Sequence, residues 1–141
     1  MPTSPPPEGT GPAFDFSLRV YWEDTDAGGI VFYANYLKFF ERARTEWLRA
    51  LGVEQEKLRQ DEGTIFVVSE TAVRYLRPAR LDDWLRVTVT PRERRQASLT
   101  VGQQCWRDDT LLAEGTIRIG CVDGGTFRPR RIPISILDRI E

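Results

Sequence analysis

Apolar residues recur at three- and four-residue steps from Tyr36 through Phe40, Ala43, Trp47 and Leu51. That spacing puts them on one face of a helix, with Lys38, Glu41, Arg42, Glu46 and Arg49 on the other. Gly52 follows, a residue free to take the left-handed conformation that ends helices. Upstream, Phe14 to Trp22 alternates: Phe16, Leu18, Val20 and Trp22 fall on one side, Ser17, Arg19 and Tyr21 on the other. This predicts a strand with one buried face. Downstream, Val53 to Glu62 holds a short helix anchored by Leu58 and closed by a turn at Gly63. Strands are then predicted at Thr64–Leu76, Leu81–Arg92, Ser98–Arg107 and Leu111–Val122, the first interrupted at Ser69-Glu70-Thr71. Arg77-Pro78-Ala79-Arg80, Glu93 to Gln96 and Asp108-Asp109 supply the turns. A loop from Asp123 to Arg131 leads to a last helical turn over Ser135–Ile140. An antiparallel meander must hide one face, and the lone long helix is its natural cover. The expected class is therefore α+β, a sheet of about five strands wrapped around one long central helix.

Size and composition narrow the function classes. The 141 residues fit one domain with a real core, expected over 14–141, behind a Pro/Gly-rich and disordered tail at 1–13. A net charge of -1 argues against a dedicated nucleic-acid binder. No apolar run is long enough to span a bilayer, and the N-terminus lacks the basic start and apolar stretch of a secretory signal. Both point to the cytoplasm. Cys105 and Cys121 sit in strand-like segments without metal-ligand spacing and read as buried and inert. Histidine is absent, which excludes Ser-His-Asp and Cys-His machinery and removes the commonest zinc ligand.

The candidate chemistry lies just before the long helix. Asp24-Thr25-Asp26-Ala27-Gly28-Gly29 leads through Ile30-Val31-Phe32-Tyr33 into its first turn. The first amides of a helix lack internal partners and carry partial positive charge, so they can receive an anion or a developing oxyanion. Asp24 and Asp26 read either as capping residues or, for Asp26 beside Gly28-Gly29 and an apolar run, as a carboxylate of raised reactivity. Asn35 reads as a cap or an exposed first-turn residue, Tyr36 as core, and Tyr33 as either packing or cavity lining. Arg42 with Glu46 suits an ion pair along the helix, and Leu37 and Leu48 share the flank of Glu41. Arg92, Arg94 and Arg95, and likewise Arg128, Arg130 and Arg131, are surface charge or a phosphate contact. No phosphate loop or dinucleotide fingerprint is present.

Residues 19–52, RVYWEDTDAGGIVFYANYLKFFERARTEWLRALG, resemble the hotdog-fold acyl-CoA thioesterases of the hydroxybenzoyl-CoA thioesterase type. They are most similar to the bacterial branch associated with the Tol-Pal envelope system. VRYLRPARLDD, ERRQASL and LLAEGTIRIGCVD extend the resemblance to about residues 16–140, and the Arg-Val-x4-Thr-Asp-x3-Ile-Val core is its most specific part. The resemblance implies an antiparallel sheet wrapped around a helix, and homodimers joined into homotetramers with active sites between chains. It implies Asp26 as the catalytic aspartate and the Tyr33 backbone amide as the donor that polarises the thioester carbonyl. Arg95 falls where some relatives bring a basic residue to the CoA phosphates. Tyr33 stands where the Tol-Pal-associated branch commonly has histidine, as tyrosine does in the hydroxybenzoyl branch. Arg94, Gln96 and Ala97 do not reproduce the basic triplet of the latter. The expected reaction is hydrolysis of an acyl-CoA, with Gly29 admitting close approach and Ile30, Val31, Phe32, Phe66 and Val67 lining the acyl slot. No cofactor is called for, because CoA is part of the substrate. The alternatives are a non-catalytic acyl-CoA or acyl-carrier binding module, and a scaffold for envelope or lipid-synthesis partners.

Overall fold

A computed structural model describes residues 13–140; the tail expected at 1–13 lies, apart from Ala13, outside them. The elements run β1 (Phe14–Arg19), a 3-10 turn (Trp22–Asp24), α1 (Asn35–Ala50), α2 (Gln55–Glu62), β2 (Thr64–Tyr75), β3 (Trp84–Arg94), β4 (Ser98–Arg107), β5 (Thr110–Asp123) and α3 (Ile134–Leu137). The strands form one antiparallel sheet in the order β1-β3-β4-β5-β2, so β1 and β2 are its edges.

α1 lies over one face of this sheet. Phe39, Phe40 and Ala43 have no exposed surface, and Tyr36, Trp47 and Leu48 are nearly as buried. They pack with Leu85, Val87 and Val89 of β3, Val101 and Cys105 of β4, and Ile117 of β5 in one core. Each fully buried large side chain contributes about 1.5–3 kcal/mol. The predicted apolar stripe is correct at Tyr36, Phe40, Ala43 and Trp47, whereas Leu51 is half-buried. Phe39 and Leu48 widen it, because a helix laid across several strands buries a broader face than one row of side chains. Gly52 takes φ +84° after the helix, the left-handed stop its position suggested.

Three expectations are revised. β1 stops at Arg19, and Trp22 is 79% exposed. Its alternation ends because the Asp24 carboxylate accepts the Tyr21 amide (2.9 Å) and curls residues 22–24 into a 3-10 turn. The predicted turn at Arg77–Arg80 is a docking strip. Ala79 is fully buried; its amide donates to the Tyr36 hydroxyl (3.0 Å) and its carbonyl accepts the Val31 amide (2.8 Å). β3 also runs on to Arg94, past the turn expected from Glu93, through a bulge between Pro91 and Glu93. The interruption at Ser69-Glu70-Thr71 is a second bulge, between Val68 and Glu70.

Tyr36 therefore ties the first turn of α1 to the β2–β3 connection, and burial raises its hydroxyl above the ordinary tyrosine range. Tyr36→Phe removes the one acceptor that the buried Ala79 amide has among the described residues. Urea unfolding is expected to show a loss of about 1–3 kcal/mol with an unchanged m-value.

Candidate active site

Residues 24–32 form a closed loop with a two-stranded neck. The Phe32 amide donates to the Asp24 carbonyl (3.0 Å), Thr25 bridges Val31, and the Asp26 amide donates to the Ile30 carbonyl (2.9 Å). The return arm is anchored to the sheet by the bond from Val31 to Ala79 and by an Ile30–Arg80 bridge. At the tip, the Gly28 amide donates to Asp26 Oδ1 (2.8 Å), and Gly29 turns the chain at φ +80°. A Cβ on Gly29 would meet nothing within 4 Å, so inside the protomer this glycine serves the turn.

α1 starts without a side-chain cap. Ala34 occupies the cap position, the Asn35 amide donates to the Phe32 carbonyl (2.8 Å), and the Leu37 amide to that of Ala34 (3.2 Å). Among the described residues, no hydrogen bond engages the amides of Tyr33 and Ala34. Seven residues separate Asp26 from Tyr33, but its rung with Ile30 brings it beside the return arm three residues before Tyr33. Asp26 is exposed. A carboxylate and two amides free of hydrogen bonds among the described residues thus lie on one short stretch of chain. Around them stand Phe32 and Tyr33, 47% and 63% exposed, with Tyr33 edge-on to Tyr75 of β2 at 6.1 Å.

The other sequence-predicted residues lie elsewhere. Ile30 is half-buried and Val31 is part of the core. Phe66 and Val67 are half-buried near the start of β2, nine residues from Tyr75 and so about 30 Å along the strand. Arg95 is exposed at the β3–β4 turn, where its Nε donates to Glu93 Oε1 (2.8 Å). This turn is at the same end as Phe66 and Val67, since Ser98 pairs with Gly120 and Gly120 with Val67. The protomer thus places Asp26, Gly29 and residues 30–33 at one end of the sheet, and Phe66, Val67 and Arg95 at the other.

Several side chains have structural tasks that the sequence pattern did not disclose. Asp24 is 3% exposed, and its Oδ1 accepts from Asn35 Nδ2 (2.6 Å); Asn35 is itself buried at 6%, against the expectation of a cap or an exposed residue. Eleven residues separate the pair, so no local spacing announces it. Of the basic clusters, Arg94 donates to the Leu137 and Ile140 carbonyls. Arg130 ties Glu62, Thr64 and Asp123 together. Glu41 lines a polar groove of about 810 Å³ between α1 and α2 with Thr45, Arg49, Glu54 and Lys57. Both cysteines are buried, and burial pushes the Cys105 thiol up to about 12 and the Cys121 thiol upward. Neither forms a thiolate at neutral pH. Iodoacetamide at pH 8 is expected to leave both unmodified in the native protein and to label both in urea, as read by intact mass.

Residues 20–140 match the family model described as the thioesterase-like superfamily. The chain is 43% identical over 120 residues to the acyl-CoA thioesterase YbgC of Haemophilus influenzae, covering 85% of this chain and 88% of that one. It is also 43% identical over 125 residues to the acyl-CoA thioester hydrolase YbgC of Escherichia coli O6:H1, covering 88% and 92%. Among solved structures, a probable thioesterase from Bartonella henselae superposes with a TM-score of 0.82 at 34% identity, over 86% of this chain and all of the other.

Proposed function

The chain belongs to the thioesterase-like superfamily, and from that premise we propose that it hydrolyses acyl-CoA thioesters to a free acid and CoA. The fold is the hotdog fold of that superfamily, a five-stranded antiparallel sheet around α1. One observation carries the mechanism: an exposed carboxylate, Asp26, sits in a closed loop that leads directly into Tyr33 and Ala34, whose amides have no hydrogen-bond partner among the described residues. The thioester carbonyl oxygen meets the Tyr33 amide. As negative charge builds on that oxygen, a fixed helix-end amide stabilises it more than it stabilises the neutral substrate, which lowers the barrier. Asp26 attacks the carbonyl carbon to give an anhydride that water then opens, or it takes a proton from an attacking water. By either route the carbon–sulfur bond breaks, CoA departs as a thiolate, and the sulfur takes up the proton that the hydrolysing water gives up. A thiolate is a good leaving group, so the missing imidazole is tolerable and no cofactor is needed. Within the superfamily, the Asp-Thr-Asp-Ala-Gly-Gly segment favours kinship with the Tol-Pal-associated branch, and Tyr33 is the point of departure from it.

The catalytic unit we propose is a homodimer, the building block of a homotetramer. β2 is a twelve-residue sheet edge whose centre, Ser69 to Ala72, is exposed, and such an edge invites pairing. Antiparallel pairing of β2 with its own copy about a two-fold axis brings opposite strand ends together. An axis between Glu70 and Thr71 sets Tyr75 against the partner's Phe66, so Asp26 and Tyr33 meet the acyl-lining and phosphate-binding residues of the other chain. The two halves that one protomer holds apart become one site.

Thiol release from a panel of acyl-CoAs, followed with a thiol reagent, tests the reaction. Asp26→Asn is expected to lower kcat by about 10²-fold or more while acyl-CoA binding persists; near-normal turnover in that variant would overturn the assignment. Binding without release by the wild type would identify a sensor instead.

Mixing tests the dimer. Asp26→Asn and Arg95→Glu proteins, each weak alone at low substrate, are expected to regain about a quarter of wild-type activity after co-refolding, because half the dimers then carry one intact site. No gain on mixing would mean that each site lies within one chain.

A further inference from the structure

Asp24 is buried, yet no Lys or Arg among the described residues makes an ion pair with it. Its oxygens are held by neutral donors, the Tyr21 amide on Oδ2 (2.9 Å) and Asn35 Nδ2 on Oδ1 (2.6 Å). Its carbonyl accepts the Phe32 amide (3.0 Å). One residue thus joins three pieces of chain: the exit from β1, the return arm of the Asp26 loop and the first residue of α1. A buried carboxylate without a cation is expensive to desolvate, and an apolar side chain would fill the corner more stably. What the carboxylate supplies is two fixed acceptors at a set angle, a geometric constraint.

We propose that Asp24 and Asn35 are positioning residues for thioester hydrolysis. Their hydrogen bond fixes how the loop bearing Asp26 leaves the helix whose free amides, those of Tyr33 and Ala34, receive the carbonyl oxygen. This rests on the hydrolase reading above. The geometry dictates its own reversal. In Asp24→Asn, the new amide nitrogen faces either the Tyr21 N–H or the Asn35 NH2, donor against donor. In Asn35→Asp, two carboxylates face each other. In the double exchange, the amide oxygen at position 24 accepts from Tyr21, and its NH2 donates to the carboxylate at position 35, so every partner is satisfied again.

The experiment measures kcat and KM by thiol release in the wild type, both single variants and the double exchange. Amide hydrogen exchange over residues 25–33 is recorded in parallel. Each single variant is expected to lose about tenfold or more in kcat with KM within about threefold, and to exchange faster across the loop. The double exchange is expected to return both quantities to near wild type. A folded Asp24→Asn protein with kcat within about twofold of wild type and unchanged loop exchange would overturn the proposal. So would a folded double exchange that recovers neither. A single variant that unfolds leaves the decision to the double exchange. A wild type that releases no thiol defeats the hydrolase reading, and positioning for hydrolysis with it, while the exchange data still decide whether this pair holds the loop.

Discussion

A sheet of five strands has two faces, and this chain brings one long helix to cover one of them. Almost everything else follows from where that helix must lie. To bury the inner side chains of β3, β4 and β5, α1 commits Phe39, Phe40 and Ala43 entirely to the core and flanks them with Tyr36, Trp47 and Leu48. Tyr36, bonded to Ala79, fixes the first turn of this packed helix against the β2–β3 connection. The start of α1 is therefore a rigid feature of the protein, although Phe32 and Tyr33 just before it face solvent. Rigidity with access is what a group must have if it is to stabilise charge that appears only during a reaction.

Much of this was legible in the sequence because it is local. The 3.6-residue stripe of α1, the alternation along β3 and β4, the Asp108-Asp109 hairpin and the left-handed Gly52 each follow from a few adjacent residues. Burial of the cysteines came from the same kind of pattern. What escaped depends on contacts between distant positions. Trp22 continues an alternating pattern and yet leaves the sheet, because Asp24 recaptures the chain three residues after Tyr21. Ala79 sits in a sequence that reads as a surface turn, and is buried only because Val31 and Tyr36 arrive from elsewhere. Asn35 has the composition of a cap, but its side chain reaches back eleven residues. Arg94 and Arg130 resemble free surface cations and are spent on carbonyls of the C-terminal segment and on the strip around Asp123.

The separation of the candidate site residues is a property of the topology. β2 runs the full height of the sheet, so residues at its two ends are remote in one protomer whatever their chemistry. The exposed aromatic and aliphatic groups make sense on the same basis. Phe32 and Tyr33 cluster at one end with Tyr75, and Val68, 49% exposed, lies toward the other end of the same strand. Large apolar side chains on a long free edge are a liability for a monomer and a resource for a two-fold pair, which covers both ends at once.

The helix start also shows how the two carboxylates of the preceding loop differ. Ser, Thr, Asp or Asn at a cap position satisfies an orphan amide and stabilises a helix by about 1 kcal/mol relative to Ala. This chain puts Ala34 there, although Asp24 is near enough to hold the Asn35 side chain. The acidic group is bonded to that side chain and to Tyr21, and not to the amides of Tyr33 and Ala34. A side-chain cap at position 34 would serve the amides of Tyr36 and Leu37, which already donate to the Tyr33 and Ala34 carbonyls (3.4 and 3.2 Å), so the missing cap leaves the amides of Tyr33 and Ala34 unaffected. An anion aimed at those amides would occupy them, whereas one turned toward a neutral amide side chain fixes the loop and leaves the donors open. Asp24 and Asp26 thus divide by the hydrogen bonds they accept: the buried Asp24 holds Tyr21 and Asn35, whereas the exposed Asp26 accepts the Gly28 amide at the loop tip.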